Sequence, residues 1–220
     1  MSTTADAVII GGGVMGSSIL FNLASRGLTA TVLLERDVLG SGSTGRSSGC
    51  VRMHYSNEVH ARMAWQSLEV FRNFDEVVGG SVKNQAAFVE TGYLIFSGND
   101  DMAIFNTNVA MHQRVGIQTS IISQEDAAEI APGFKLDDCP SIAYEPRSGH
   151  ADPSGTAAAY ATRAREMGAQ IKLQNPATTV EVSSGKVTAV ITAQERIETP
   201  AAVIATGPWS RRFLLQHGID

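Results

Sequence analysis

The sequence predicts an α/β fold in which a domain with a parallel sheet is joined to the beginning of a second, α+β domain with an antiparallel sheet. Two observations near the start indicate the parallel sheet. The apolar run Ala7–Ile10 ends in three consecutive glycines and resumes as a helical pattern, and another apolar run follows at 31–35. The third observation is that the pattern becomes β-rich from Phe88 onward, which indicates the second domain.

The first elements form one βαβ unit. Ala7–Ile10 predicts a buried parallel strand, and the helix after the glycines places apolar residues on one face before Gly27 closes it. With the second strand at 31–35, the unit takes about 30 residues, and its crossover should be right-handed. These features are typical of the start of a Rossmann-like domain.

A loop and a long helical stretch come next. Residues 40–49, GSGSTGRSSG, are too rich in Gly and Ser to form regular structure. Residues 57–78 carry apolar side chains at spacings of three and four, which predicts a helix with one apolar stripe. The stripe comprises Ala61, Ala64, Trp65, Leu68, Phe71, Phe74 and Val78. Trp65 is therefore expected in the core.

The β-rich segment 88–96, FVETGYLIF, opens the second domain. An amphipathic helix follows it and ends at Gly116, and Ser123 and Asp126 have the spacing of a capping box at the start of a short helix. A further helix is expected at 156–168.

These elements divide the chain into two domains. We expect a hairpin whose turn is formed by Ser184 and Gly185, and then a small-residue strand, AAVIATG, that rejoins the first sheet. Residues 1–84 and 151–220 are therefore assigned to a discontinuous first domain, and residues 85–150 to a partial second domain.

Composition excludes several classes of protein. The chain has 220 residues, 43% of them hydrophobic and 18% charged, as in ordinary globular proteins. Its net charge of -5 provides no basic face for nucleic acid or for an anionic membrane. The start has no basic region and no long apolar segment, so we expect neither a signal peptide nor a membrane span, and we expect a cytoplasmic protein.

The cysteines and histidines show no ligand spacing. Cys50 and Cys139 lie far apart without a CxxC pattern, which favours two reduced thiols. The five histidines form no HExxH or paired motif, so no metal is predicted. A metal site would have to be assembled from distant segments.

The glycine turn matches a dinucleotide-binding fingerprint. Gly11, Gly13 and Gly16 have the spacing G-x-G-x-x-G between a predicted strand and a predicted helix, whose N-terminal N–H groups can hold a pyrophosphate. Glu35 follows at the end of the second strand, where a carboxylate can accept hydrogen bonds from the adenosine ribose. Because Glu35 would repel a 2′-phosphate, NADP is disfavoured, whereas FAD and NAD both remain open.

Four segments resemble one flavoprotein family, in the same order. They are 35–55, ERDVLGSGSTGRSSGCVRMHY, then ADPSG, GAQIKLQNPATTVEV and VIATGPWS. Together they are similar to the N-terminal part of the FAD-dependent glycine, sarcosine and D-amino-acid oxidase (DAO) family, and especially to its sarcosine and dimethylglycine branch. The resemblance covers nearly the whole chain. It implies FAD as the cofactor, held by the first domain, and a substrate in the second.

The resemblance implies a set of cofactor-binding residues along the extended FAD. They are Gly11, Gly13, Val14, Met15, Gly16, Glu35, Arg36, Ser43, Thr44, Arg46, Ser47, Ser48, Ala177, Ala205, Thr206, Gly207 and Trp209. In the dimethylglycine dehydrogenase branch a Trp-His pair in the loop carries the flavin covalently, and here Gly45 and Arg46 stand at those positions. We therefore expect FAD without a covalent bond at 40–49. Cys50 is expected to be a small buried packing residue.

Arg52 and His54 are the candidate catalytic residues. Arg52 and Tyr55 match an R-x-x-Y pattern of the resembling sarcosine oxidases, in which the arginine binds the substrate carboxylate. His54 is a candidate only because of its position in the sequence between Arg52 and Tyr55. The implied function is FAD-dependent oxidation of the C–N bond of a small amine or of an N-methyl or D-amino acid.

Two other functions remain open. One is an NAD-dependent dehydrogenase, and the other is a non-catalytic FAD-binding fragment or subunit that needs a C-terminal half or a partner. Members of the resembling family are longer than this chain, so we expect the 220 residues to form an incomplete catalytic unit. We also expect the strands around 88–96 to lack sheet partners and to expose apolar surface.

Overall fold

In the computed structural model, which describes residues 3–219 except for the side chain of residue 99, the chain forms two units. The first unit comprises the described residues up to Ser48, Asp75–Ala87 and the described residues from Asp152 onward. The second comprises Gly49–Phe74 and Phe88–Ala151.

The strands and α-helices of the described chain follow in sequence order. They are β1 (Thr3–Thr4), β2 (Ala7–Ile10), α1 (Val14–Ala24), β3 (Thr31–Leu34), β4 (Cys50–Val51), α2 (Glu58–Arg72), α3 (Phe74–Val78), β5 (Val89–Glu90), β6 (Tyr93–Ser97), α4 (Met102–Val115), β7 (Ser120–Ile122), α5 (Gln124–Ile130), β8 (Ser141–Glu145), β9 (Gly149–His150), α6 (Pro153–Glu166), β10 (Gln170–Lys172), β11 (Ala177–Ser183), β12 (Lys186–Thr192), β13 (Arg196–Glu198), β14 (Ala202–Ile204) and α7 (Ser210–Leu215). A 3₁₀ turn at Thr44–Arg46 interrupts the Gly/Ser-rich loop.

The first unit contains the predicted parallel sheet. Its order is β10-β3-β2-β14, and all three pairings are parallel. The strands thus run third, second, first, fourth in chain order, which is the arrangement of a Rossmann-type sheet. Every residue of β2 and β3 is buried, as expected of strands covered on both faces. The prediction that AAVIATG returns to this sheet is confirmed by β14.

Both faces of the parallel sheet are packed within the first unit. On one side α1 packs against α6, with the rings of Phe21 and Tyr160 5.2 Å apart. On the other side Val8 and Leu34 share a buried cluster with Val190 and Ile197 of a second sheet, whose order is β1-β13-β12-β11. The predicted hairpin joins β11 to β12, and both turn residues have positive φ, as a two-residue turn of type I′ requires.

The second unit contains two small antiparallel sheets, β4-β9-β5 and β6-β8-β7. The expectation that the strands around 88–96 lack partners is wrong. β5 pairs with β9, and β6 pairs with β8 along its whole length, because Ser141–Glu145 supplies a strand that the sequence pattern did not reveal. No helix of the described chain is long and apolar enough to cross a bilayer.

The unit boundaries differ from the predicted ones mainly at Gly49–Phe74, which belongs to the second unit. They also differ at 85–87, which belong to the first unit, and at 151, which belongs to the second. The reason is packing, since Ala61 and Leu68 of α2 share a buried cluster with Met111 of α4. Trp65 lies half-buried against the same cluster, in agreement with its expected core position. The assignment of the units to cofactor and substrate stays a prediction.

Two helix boundaries also differ from the sequence pattern. The stretch 57–78 forms two helices because Asn73 leaves helical geometry, with its side-chain N–H₂ bonded to the Glu69 carbonyl. Helix α6 begins at Pro153 rather than at 156, because the Asp152 carboxylate accepts the N–H groups of Ser154 and Gly155 and caps the helix there.

Candidate cofactor site

The turn between β2 and α1 is packed backbone against backbone. Gly11 has a φ of +115°, and a Cβ there would lie 2.5 Å from the Ala205 carbonyl oxygen. A Cβ on Gly16 would lie 1.9 Å from the Gly11 carbonyl oxygen. Both positions therefore require glycine, and the turn brings the end of β14 and the start of α1 together at the point where the strand order reverses.

Helix α1 presents its N-terminus at this turn. Its N-cap residue is Gly13, which has no side chain to accept an N–H, and no acidic residue stands in the first turn. The Val14 N–H donates to the Thr44 hydroxyl oxygen at 3.0 Å. A helix of this kind carries positive potential at its start and favours an anion there.

Glu35 lies at the carboxyl end of β3 and is 8% exposed. One carboxylate oxygen accepts the Gly12 N–H at 2.6 Å, and the other accepts the Asp37 N–H at 2.9 Å. These two charge-assisted bonds fix the carboxylate beside the glycine turn. Each oxygen retains a further lone pair that can accept a ligand hydroxyl.

These features line one cavity of about 630 Å³ within the first unit. Of the predicted cofactor residues, the structure brings fourteen to its walls: Gly11, Gly13, Val14, Met15, Glu35, Arg36, Ser43, Thr44, Ser47, Ala177, Ala205, Thr206, Gly207 and Trp209. Gly16, Arg46 and Ser48 lie outside the lining. Gly16 is buried beneath the turn, whereas Arg46 and Ser48 are exposed.

The cavity also has walls that the sequence did not predict. The additional residues are Ile10, Gly12, Leu34, Ser41, Gly42, Pro176, Arg212, Phe213 and Gln216. Most of them neighbour a predicted residue in the chain. Three of them come from the C-terminal helix: Arg212 and Phe213 lie on α7, and Gln216 directly follows it. Gln216 is four residues after Arg212 and three after Phe213, so the three side chains can share one helix face, and this spacing in the sequence could have predicted them.

Trp209 and Arg36 form one wall together. The Arg36 guanidinium lies 4.9 Å from the centre of the Trp209 ring, within the range of a cation–π contact. A Cβ on Gly42 would meet the same ring at 3.4 Å, so the loop passes close over the indole. The indole is 37% exposed and faces the cavity rather than a core.

The two candidate catalytic residues lie in the second unit. Arg52 and His54 line a cavity of about 550 Å³ there, together with Tyr55 and Tyr93. The Arg52 Nη1 donates to the His54 carbonyl oxygen, and the guanidinium lies 5.2 Å from the centre of the Tyr55 ring. These contacts fix the orientation of the guanidinium at the cavity wall.

Cys50 is not the buried packing residue expected from the sequence. It is exposed, and its Sγ lies 3.1 Å from the Tyr93 hydroxyl oxygen. This contact raises the pKa of Tyr93, and burial raises it further by a smaller amount. The expectation fails because β4 is only two residues long and leaves the thiol at the surface. Within the described chain, Cys50 and Cys139 form no disulfide.

The parallel sheet order, the glycine turn and the carboxylate at the end of β3 define a dinucleotide-binding domain of Rossmann type. The family model described as FAD dependent oxidoreductase (DAO) matches residues 6–219. The chain therefore belongs to the DAO family of FAD-dependent oxidoreductases, and this result decides between FAD and NAD in favour of FAD.

Known proteins similar to the chain are longer. Human mitochondrial sarcosine dehydrogenase is 27% identical over 219 residues, which cover 96% of this chain and 23% of that protein. The mitochondrial pyruvate dehydrogenase phosphatase regulatory subunit of Mus musculus is 29% identical over 97% of this chain and 24% of its own length. The crystal structure of L-proline dehydrogenase from P. horikoshii matches with a TM-score of 0.90 and 28% identity, covering 100% of this chain and 57% of that one. The chain thus spans about a quarter of the length of these two curated relatives.

Proposed function

We propose that the whole protein uses FAD to oxidise the C–N bond of a small amine or of an N-methyl or D-amino acid. The observation that carries the proposal is that the glycine turn, the start of α1 and Glu35 line one cavity in a chain of this family. When bound, FAD supplies the oxidising group, which accepts a hydride from the carbon next to nitrogen. The protein's part is to bind and orient.

The chain's own groups fit FAD along the cavity. The N–H groups at the start of α1 would hold the pyrophosphate, because Gly11, Gly13 and Val14 line the cavity there. Glu35 would accept the ribose hydroxyls, because its carboxylate is already oriented by two backbone N–H groups. The hydroxyls of Ser43 and Thr44 stand on the same wall and are available to a phosphate or flavin oxygen.

The proposal includes a flavin that is not covalently attached at 40–49. This loop contains neither His nor Cys, and Arg46, which stands where the resembling dehydrogenases have the linking histidine, is exposed. Acid precipitation of the holoprotein should therefore release the flavin into the supernatant. A peptide from this loop that carries flavin, detected by mass spectrometry, would contradict the proposal.

Arg52 is proposed to bind the carboxylate of an amino-acid substrate. Its guanidinium is oriented at the wall of the second unit's cavity and can present two parallel N–H groups to a carboxylate, as a lysine ammonium cannot. His54 lines the same cavity. Its catalytic role stays a prediction.

The test compares substrates with and without a carboxylate in the whole protein. Flavin reduction without oxygen is followed with sarcosine, dimethylglycine, proline and D-amino acids, and with methylamines that lack the carboxylate. We expect Arg52→Gln to lose most of the preference for the amino acids, with a raised KM, and Arg52→Lys to recover part of it. Arg62→Gln, on the exposed face of α2, is the control. An unchanged preference in Arg52→Gln would refute the assignment.

A second candidate function is a non-catalytic, FAD-binding regulatory subunit. It is favoured by the similarity to the pyruvate dehydrogenase phosphatase regulatory subunit, which covers 97% of this chain. Its signature in the same experiment is flavin that binds but is reduced by none of the amines or amino acids. If the protein is such a regulatory subunit, its partner is a second protein chain. A cytoplasmic location stays a prediction.

A further inference from the structure

Three polar residues from distant segments meet inside the second unit. His54 follows β4, His112 lies on α4, and Glu145 ends β8. His112 and Glu145 are fully buried, and the side chain of His54 is 11% exposed. One potential ligand atom from each residue lies within 4.8 Å of those of the other two. Such groups are rarely enclosed together without a common partner.

Each of the three residues has a buried polar atom that makes no hydrogen bond. Within the described chain, His54 Nδ1, His112 Nδ1 and Glu145 Oε1 are buried without a hydrogen-bond partner. Atoms of this kind cost free energy unless something fills the space between them. The His54 Nδ1 and Glu145 Oε1 atoms are 3.7 Å apart, which is too long for a hydrogen bond between them.

The second ring nitrogen of His112 and the second carboxylate oxygen of Glu145 form hydrogen bonds with residues outside the cluster. His112 Nε2 lies 2.8 Å from the Tyr55 carbonyl oxygen, which can only accept, so Nε2 carries a proton and Nδ1 of the neutral ring has a free lone pair. Glu145 Oε2 accepts the Met53 N–H at 3.0 Å and the Ser148 hydroxyl at 2.8 Å. Contacts of this kind orient the ligands of metal sites.

We propose that His54, His112 and Glu145 form a binding site for one divalent transition-metal ion of the Zn²⁺ class. Two imidazole nitrogens and one carboxylate oxygen leave a fourth position open, and this ligand set favours Zn²⁺ over Mg²⁺ or Ca²⁺, which prefer oxygen. The 3.7 Å separation of His54 and Glu145 is what two ligands about 2.1 Å from a shared ion would have at an angle of about 120°. The proposal is independent of FAD binding and departs from the sequence-based expectation that there is no metal.

The test is direct metal titration of the tag-free 220-residue chain after treatment with a chelator. Zn²⁺ binding is measured by calorimetry, and Co²⁺ binding by the visible absorption that reports coordination number. We expect one ion per chain, displacement of Co²⁺ by Zn²⁺, no competition from excess Mg²⁺ or Ca²⁺, and a melting temperature that rises with bound Zn²⁺.

Three variants decide whether the ion occupies this cluster. Glu145→Gln removes a ligand and should weaken Zn²⁺ binding by roughly 100-fold or more, whereas Ser148→Ala keeps all three ligands and should weaken it by about 10- to 100-fold. Ser148→Ala keeps the test decisive if Glu145→Gln fails to fold. His150→Gln, an exposed histidine on β9, is the matched control and should bind as the unaltered chain does. A chain that binds no Zn²⁺ or Co²⁺, or variants that all bind equally, would overturn the proposal.

Discussion

Replacing Glu35 with Gln should weaken both the first unit and its cofactor site. The side chain keeps its shape, but one carboxylate oxygen becomes an NH₂ group. That group would face the backbone N–H of either Gly12, now 2.6 Å from an oxygen, or Asp37, now 2.9 Å from the other. Two donors cannot pair, so one backbone N–H next to the glycine turn loses its acceptor.

The magnitude follows from the burial of Glu35, which is 8% exposed. An unsatisfied buried donor costs about 1–3 kcal/mol. For a chain of this size each kcal/mol lowers the melting temperature by about 2–4 °C, so a fall of roughly 2–12 °C is expected. A hydrogen bond to a charged group contributes about 1.5–3 kcal/mol. Loss of one such bond to the ribose weakens FAD by roughly 10- to 150-fold.

The assay combines thermal unfolding of the flavin-free chain with an FAD titration followed by quenching of flavin fluorescence. Glu76→Gln, an exposed glutamate on α3 of the same unit, makes the same chemical change and should alter stability by less than about 0.5 kcal/mol. If Glu35→Gln bound FAD and melted like Glu76→Gln, the role assigned to the Glu35 carboxylate would be refuted.

Three further predictions concern other parts of the chain. Gly16→Ala, whose Cβ would lie 1.9 Å from a backbone carbonyl oxygen, should lower stability by about 1–3 kcal/mol in urea unfolding and weaken FAD, whereas Gly98→Ala, with open space around its Cβ, should do neither. The hydrogen bond from Lys172 lowers the pKa of Glu195, so the pair stabilises the fold above the ordinary pKa of a glutamate and loses this contribution as pH falls through the lowered value. Lys172→Met should therefore flatten the pH dependence of urea unfolding below the ordinary pKa of a glutamate. Ser123→Ala removes the acceptor of the capping box on α5 and should cost about 0.5–2 kcal/mol in the same assay.

The parts of the fold that the sequence predicts correctly depend on neighbours in the chain. The βαβ unit, its glycine turn and the β11–β12 hairpin are fixed by short apolar runs and by glycines whose conformation other residues rarely adopt. The cofactor cavity follows from them, because parallel strands bring their carboxyl ends to one edge of the sheet. Within the Gly/Ser-rich loop, by contrast, nothing periodic distinguishes Thr44, which faces the cavity, from the exposed Arg46.

The parts of the fold and of the sites that the sequence does not predict depend on packing between residues far apart in the chain. The apolar stripe of α2 shows that one face is buried but does not show that the face packs against α4, so the sequence places Gly49–Phe74 in the first domain, whereas the structure groups it with the second unit. For the same reason no sequence motif predicts that His54, His112 and Glu145 lie close together. Their ligand spacing exists only after a loop, a helix and a strand have packed together.

FAD as the cofactor of the first unit is tested by titrating the flavin-free 220-residue chain with FAD, NAD and NADP in parallel. We expect one FAD bound per chain, a shifted flavin absorption spectrum, weaker binding of NAD and the weakest binding of NADP, whose 2′-phosphate would face the Glu35 carboxylate. Tight binding of NAD or NADP together with no change in the flavin spectrum would refute the assignment of this site to FAD.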